Sequence, residues 1–452
     1  MKICCAARQR THLHETGAAL AKRPCHFLEE TKMTKAIKLT AVLSASLCFP
    51  GAAAAAKLEL LMAGPLASGR QPYYPIVDTK QESCYNDLAP LASCPAQTTG
   101  NFYGQDAQHA GLAPSFTDNG NETVTDNRTG LMWQKNPGGK KTQAQALAEV
   151  GSFSLAGYND WRLPTIKELY SLIQFNGKDA SGCDDEGAAC TAADCTPFID
   201  TGYFTFQYGN VYGDRIIDSQ YLSSTLVEGG TSNNAESAFG VNFADGRIKG
   251  YELKPGGTDK TFFVMHVRDI SSDKKYGANS FKNNGDGTVT DQASGLQWMQ
   301  ADSGAGKNWQ EALAYCENLS LASHDDWRLP NAKELHSIVD CSNAPDTNGK
   351  PAIDTDYFSS TSIKNENGED DWPFYWTSTT LETWNNKGDK AVFVAFGRAL
   401  GYMSDTWVNI HGAGAVKADF KSGDPEEHPT GHGPQNGAVR IHNYVRCVRD
   451  AD

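Results

Sequence analysis

The chain is 452 residues long, room for two or three domains at roughly 100–200 residues each. It is acidic, with 40 Lys and Arg against 54 Asp and Glu for a formal net charge of -14, which excludes a general affinity for nucleic acid or anionic membrane. Hydrophobic residues at 39% and aromatics at 10% exclude a disordered chain, and 43 glycines without a Gly-X-Y period exclude collagen while pointing to many loops.

The one long apolar run, Ala36 to Ala56, follows Met33-Thr34-Lys35 and ends in alanines before Lys57. A short basic region, an apolar stretch and small terminal residues describe a secretory signal peptide at 33–56, whereas a membrane anchor needs about 20 predominantly apolar residues. Residues 1–32 fit no part of that signal and read as a misassigned extension ahead of a true start at Met33. Removing the 8 basic and 3 acidic residues of 1–56 leaves 32 and 51, a net of -19. Eight cysteines remain, at 84, 94, 183, 190, 195, 316, 341 and 447. An even count in an exported chain suggests disulfides, and no Cys-x2-Cys pair supports zinc. Residues 57–115 form a leader in which Cys84 and Cys94 lie close enough to staple a small loop.

From there the chain repeats itself. TVTDNRTGLMWQ at 123–134 returns as TVTDQASGLQWM at 288–299, and DWRLPTIKEL at 160–169 as DWRLPNAKEL at 326–335. IDTGYF (199–204) and IDTDYF (353–358) follow, then YLSST (221–225) and YWTST (375–379), GRIKGY (246–251) and GRALGY (397–402), HVR (266–268) and CVR (447–449). Such order predicts two copies of one domain, 116–270 and 277–450, packed as two units. In each copy, TVTD, a turn and GLxW predict a hairpin with Trp133 or Trp298 facing inward. Helices are predicted at 142–150 and 309–319, then from the capping boxes Thr165–Glu168 and Asn331–Glu334. Strands follow at FGVNF (239–243) and AVFVAF (391–396). The fold class is α+β, each copy with two short helices, a curled antiparallel sheet and long loops. Copy two carries about 30 extra residues after Tyr402, which read as loop throughout.

GLMW, DWRLPTIKEL, YWTSTT and the terminal VRCVR resemble the Lcl C-terminal domain family, named for the end of the Legionella collagen-like adhesin. The resemblance covers roughly 79–450 and implies tandem C-type-lectin-like domains, in which first and last strands pair and a long loop region carries ligand. Lectin calcium signatures are missing, so no calcium-dependent sugar site is carried over. Cys316 and Cys447 are present together in copy two, where copy one has Val150 and His266. That joint presence points to a shared bridge, in keeping with the helix-to-last-strand disulfide that the resemblance implies. Copy one would then pack Val150 and turn His266 to solvent or a local acceptor. The pairing of Cys183, Cys190, Cys195 and Cys341 stays open.

No catalytic constellation stands out: there is no G-x-S-x-G, H-E-x-x-H or phosphate loop. Ser223-Ser224-Thr225 and Thr377-Ser378-Thr379-Thr380 lack a nearby base and read as structural. Asn284-Gly-Asp286-Gly-Thr288 alternates oxygens as a calcium loop does, but tight turns also explain its glycines, so no cofactor is expected and calcium is the secondary option. Arg162 and Arg328, each six residues before a Glu, read as internal pairs, with Trp133, Trp161, Trp298 and Trp327 as core. Ligand binding is assigned to the aromatic and polar residues of copy two: Trp372, Tyr375, Arg398, Tyr402, Trp407 and Asn409. His411, His428, His432 and His442 read as solvent-facing loop histidines. The expected function is non-enzymatic recognition or adhesion, binding an extracellular glycan or protein. Two alternatives are an envelope protein that self-assembles and a hydrolase or protein-modifying enzyme of the same fold. The expected location is secreted, periplasmic or at the outer surface of a bacterium, without a membrane span.

Overall fold

In each copy the chain first builds a hairpin whose alternating pattern drives one face inward. The computed structural model describes residues 73–97, 100–183, 191–209, 215–271 and 275–452. The extension, the signal segment, the first part of the leader and Cys190 lie outside the described residues, which all belong to the unit Pro65–Asp452.

Copy one opens with β1 (Phe116–Asp118), β2 (Thr123–Asp126) and β3 (Leu131–Gln134), then β4 (Lys141–Thr142) leading into helix α1 (Gln143–Val150). Helix α2 (Ile166–Ser171) follows, then β5 (Gln220–Leu226), β6 (Ser237–Asn242), β7 (Arg247–Glu252), β8 (Thr261–Phe262) and β9 (Val267–Asp269). Copy two repeats the plan with β10 (Phe281–Asn283), β11 (Thr288–Asp291), β12 (Leu296–Met299), α3 (Trp309–Glu317) and α4 (Ala332–Ser337). It then adds β13 (Ile363–Lys364), β14 (Asp370–Asp371), β15 (Phe374–Leu381) and β16 (Lys390–Ala395). The remainder is β17 (Leu400–Met403), β18 (Thr406–Asn409), β19 (Val416–Phe420) and β20 (Val448–Asp450).

The hairpins pair in the same register, Val124 opposite Trp133 and Val289 opposite Trp298, and both tryptophans are wholly buried. The last strand of each copy closes on the hairpin, giving sheets β1-β2-β3-β9 and β10-β11-β12-β20. Trp161 and Trp327 are buried as well, each indole N–H donating to a loop carbonyl, Leu155 or Leu321, at 3.3 Å.

Helices α2 and α4 start where the sequence places them. Thr165 and Asn331 accept from the backbone N–H of Glu168 and Glu334, and those carboxylates reach back to the cap. The same carboxylates take the bidentate guanidinium forks of Arg162 (2.8 and 2.6 Å) and Arg328 (2.6 and 2.7 Å), tying helix start to the preceding loop. The Ser/Thr runs act on backbone. Thr225 and Thr379 accept from the first helical N–H of Ile166 and Ala332 at 3.0 Å, while Ser223 and Thr377 donate to the carbonyls of Phe239 and Val392. In the Asn284 turn, the side-chain amide donates to Thr288 and Thr290 and Asp286 accepts from Thr288, so its oxygens serve the turn.

The copies do not stand apart as two units. A six-stranded sheet runs β15-β16-β19-β7-β6-β5, joined where Val416 pairs antiparallel with Ile248. The third strand of copy two, β19, comes from the inserted segment, which is therefore not loop throughout: β18 and β19 are strands. GRALGY, the sequence counterpart of β7, is displaced into the separate hairpin β17–β18. Val416 and Ala418 alternate with Lys417 and Asp419, giving β19 the two-residue period of a strand. The helices meet reciprocally on the other face. Lys167 of α2 donates to the Ser337 carbonyl at 2.7 Å, and its counterpart Lys333 of α4 donates to the Ser171 carbonyl at 2.9 Å. Tyr170 and its counterpart His336 pack edge to face, 4.9 Å between centroids. The arrangement is an internal pseudo-dimer around one core that draws side chains from both copies.

Two disulfides between described residues staple it. Cys84–Cys94 closes the leader loop, and Cys316–Cys447 joins α3 to the residue before β20 with Cα atoms 5.6 Å apart. In copy one His266 does not face solvent. It is buried, stacked on Phe153 at 4.0 Å and bonded to Gln134 Oε1 at 2.9 Å, while Val150 packs on the local apolar cluster. Burial lowers the His266 pKa to about 4.

Candidate functional site

The seam between β7 and β19 opens into a groove of ≈ 480 Å³, within the usual range of about 300–1,000 Å³ for a ligand pocket. Its floor is set by strand alternation. Ile248 and Val416 point into the core, so Arg247, Lys249 and Tyr251 of β7 and Lys417 of β19 line the groove. The far wall is the inserted segment, from His432 to Val439.

Most charges in the groove are already engaged. Arg247 pairs with Asp179 at 2.8 Å, Lys249 with Asp245 at 2.8 Å, and Arg215 with Asp218 at 2.8 Å. Lys390 lies 4.5 Å from the Phe420 ring centroid. Asp419 is buried and accepts from the backbone N–H groups of Arg440 (2.9 Å) and Ile441 (2.8 Å), which fixes the exit of the insertion. Lys417 differs: among the described residues its ammonium makes no hydrogen bond or ion pair. Burial, with Lys249 and Arg247 beside it, lowers its pKa to about 7. The Tyr251 hydroxyl is buried without a hydrogen-bond partner.

The residues assigned from sequence gather on a neighbouring surface, with one exception. Arg398 donates to Asp346 at 2.6 Å, Asn409 donates to the other oxygen of Asp346 at 2.8 Å, and Tyr402 packs on Trp407 at 5.3 Å. The carbonyl of Trp407 accepts from Asn367, and the carbonyl of Trp372 accepts from the Arg440 guanidinium at 3.4 Å. Trp372, Arg398, Tyr402, Trp407 and Asn409 are all partly exposed. Tyr375 is not among them. It is wholly buried, and its hydroxyl donates to Asp302 at 2.6 Å, because β15 is a central strand of copy two's core. The hairpin adjoins the groove through Gly437, which lines the groove and bridges to Gly401 in β17.

His411 is likewise buried, its ring held against the Gly250 carbonyl side of the seam, whereas His432 and His442 are exposed and His428 is half-buried, stacked on Phe420. A second cavity of ≈ 430 Å³ lies between Lys167, Tyr276 and Cys341. Cys341 is a free thiol whose pKa burial raises to about 11, so it stays protonated at neutral pH. The Sγ atoms of Cys183 and Cys195 lie 3.4 Å apart. Among the described residues, no group of three or more His, Cys, Asp or Glu converges as metal ligands, and no helix is long and apolar enough to cross a membrane.

The groove residues escaped the sequence reading, although a signal was present. RIKGY and VKADF both alternate a charged with an apolar or small residue, the mark of a strand with one polar face. What sequence did not display is that the two would pair across the copies.

Fold and groove together define a disulfide-bonded α+β protein made of two fused copies of one domain. The chain belongs to the Lcl C-terminal domain family, whose model matches residues 122–268 and 287–449, more than half of its length. That places it with adhesin-like surface proteins. Among curated proteins and among solved structures, none matches the chain.

Proposed function

We propose that the chain is a secreted or surface-exposed recognition and adhesion protein, non-enzymatic, binding an extracellular glycan or protein through tandem C-type-lectin-like domains. The groove carries this reading: it forms only where both copies meet, and an insertion peculiar to copy two walls it. Pairing of first with last strand in each copy supports the domain type, and the disulfides suit an oxidising location. The Ser and Thr hydroxyls of β5 and β15 are occupied by backbone, which favours recognition over acyl-transfer chemistry.

A glycan and host-protein binding array probed with residues 57–452, with and without calcium, tests the reading. A reproducible class of hits is expected. An empty array together with concentration-dependent assembly of the chain would favour the envelope-protein alternative. Within this reading, Trp372→Ala or Trp407→Ala should weaken capture of array hits about tenfold, as loss of an interface aromatic does, while the melting temperature stays within about 2 °C. A collapse of the melting transition would return both residues to the core. Export has its own check: N-terminal sequencing of the extracytoplasmic protein should start near Lys57, and a product retaining Met33 in the cytoplasm would defeat the location.

A further inference from the structure

The groove holds two polar groups that have no protein partner among the described residues. Among the described residues, Lys417 of β19 has neither hydrogen bond nor ion-paired carboxylate, and the Tyr251 hydroxyl is buried without a partner. In the antiparallel register set by Val416 and Ile248, Lys417 falls beside Arg247, with Lys249 two residues further along β7. Three cations thus share one side of the seam, and two of them already hold Asp179 and Asp245. One positive charge is left over, in a protein whose net charge is -14.

We infer that the groove is a binding site for a small hydroxylated organic acid of sugar-acid type, its single carboxylate received by Lys417. The inference rests on the recognition reading and names a ligand class for its groove. One unpaired ammonium matches one carboxylate. A polyanion would meet Asp179 and Asp419 in the lining and the acidic surface beyond, and like charges repel it. Ser181, Thr383 and Gln435 supply polar groups for hydroxyls around the rest of the cavity, whose ≈ 480 Å³ accommodates one or two sugar rings. Because β7 belongs to copy one and β19 to copy two, the ligand would touch both.

The groups facing Lys417 set the pH behaviour. Arg247 and Lys249 from β7 oppose its charge, Asp245 from the β6–β7 turn and Asp419 of its own strand favour it, and the buried His411 of the same copy feels its charge. Gly437 of the inserted wall lies against its ammonium. Lys390 and His432 stand at the rim, and the His432 pKa is lowered, so that ring stays neutral above pH 7. With a Lys417 pKa of about 7, the fraction of ammonium falls about tenfold between pH 6 and pH 8. Carboxylate affinity should fall by the same factor, since only the charged fraction is competent.

The test is calorimetric titration of residues 57–452 with D-glucuronate, with glucose, inorganic sulfate and inorganic phosphate as the other probes. Glucuronate should bind, glucose at least tenfold more weakly. Lys417→Gln should cost tenfold or more, and Lys417→Arg, permanently charged, should keep the affinity while flattening its pH dependence. That split separates charge recognition from a merely structural lysine. Equal binding by the wild type and Lys417→Gln, equal binding of glucose, or displacement of glucuronate by equimolar sulfate or phosphate would each overturn the inference. Array hits that persist in Lys417→Gln would show recognition surviving elsewhere on the surface while this site fails.

Discussion

Replacing Cys316 and Cys447 together by alanine should lower the unfolding free energy by about 5 kcal/mol, read from the denaturant midpoint and slope of residues 57–452. The bond closes a loop of 131 residues, and on the loop-length estimate that restraint on the unfolded chain is worth about 5 kcal/mol. Both sulfurs are fully buried, in a cluster with Trp309, Leu313, Phe374 and Trp376, so the alanines also leave a small apolar void. Position matters as much as size. The inserted segment, 403–439, departs from and returns to the copy inside this loop, and the bridge holds α3 against β20 regardless of what the insertion does. Copy one has no such insertion and manages the same junction with Val150 and the buried His266–Gln134 hydrogen bond. A loss below about 1 kcal/mol, or an unchanged midpoint in reductant, would show that packing alone secures the junction.

What the sequence disclosed follows from which interactions are local. Hairpins, capping boxes and the Arg–Glu forks all close within a dozen residues, so TVTD-turn-GLxW, Thr165–Glu168 and Arg162–Glu168 were readable directly. The long-range Cys316–Cys447 bond was readable because two copies made a comparison: a pair of thiols present together in one and absent together from the other. The seam gave no such contrast. Ile248 and Val416 lie 168 positions apart in unlike segments, and GRALGY, the repeat match of GRIKGY, stands in a separate hairpin instead of beside β16. Length also misled. An inserted stretch rich in Gly, Pro and Asp reads as loop, yet five residues in its middle, Val416–Phe420, complete a sheet. Tyr375 was misplaced for a related reason: a tyrosine near exposed tryptophans in sequence belongs to β15, whose residues are all buried.

Neither copy expressed alone, as 116–270 or 277–450, should show cooperative unfolding, whereas co-expression of 57–270 with 277–452 should restore a folded complex. The core that each would need is partly in the other. Tyr170 packs on His336, Ile248 pairs with Val416, and Val227 and Phe239 of copy one lie against Gly412 and Gly414 of copy two. Those two glycines, at φ of +79° and +101°, let the inserted chain approach so closely that a Cβ at 412 would strike Val227. Separation would bring Tyr170, Val227, Phe239 and Ile248 toward water. At about 1.5–3 kcal/mol for each large apolar side chain, four of them approach the 5–15 kcal/mol that is the whole stability of an ordinary domain. The polar contacts fail with them. Lys167 and Lys333 each lose the carbonyl supplied by the other copy's helix, and Lys333 also loses the Asp78 carbonyl of the leader. The leader is bound into copy two by a further reciprocal pair, Gln81 donating to the Thr380 carbonyl at 2.7 Å and accepting from its N–H at 2.8 Å. Both truncations remove it. Poorly dispersed amide NMR spectra and a broad, denaturant-insensitive signal are therefore expected for each copy. A dispersed spectrum and a sharp melt from either one would show that the repeats are autonomous domains and that the seam, with its groove, is an incidental contact.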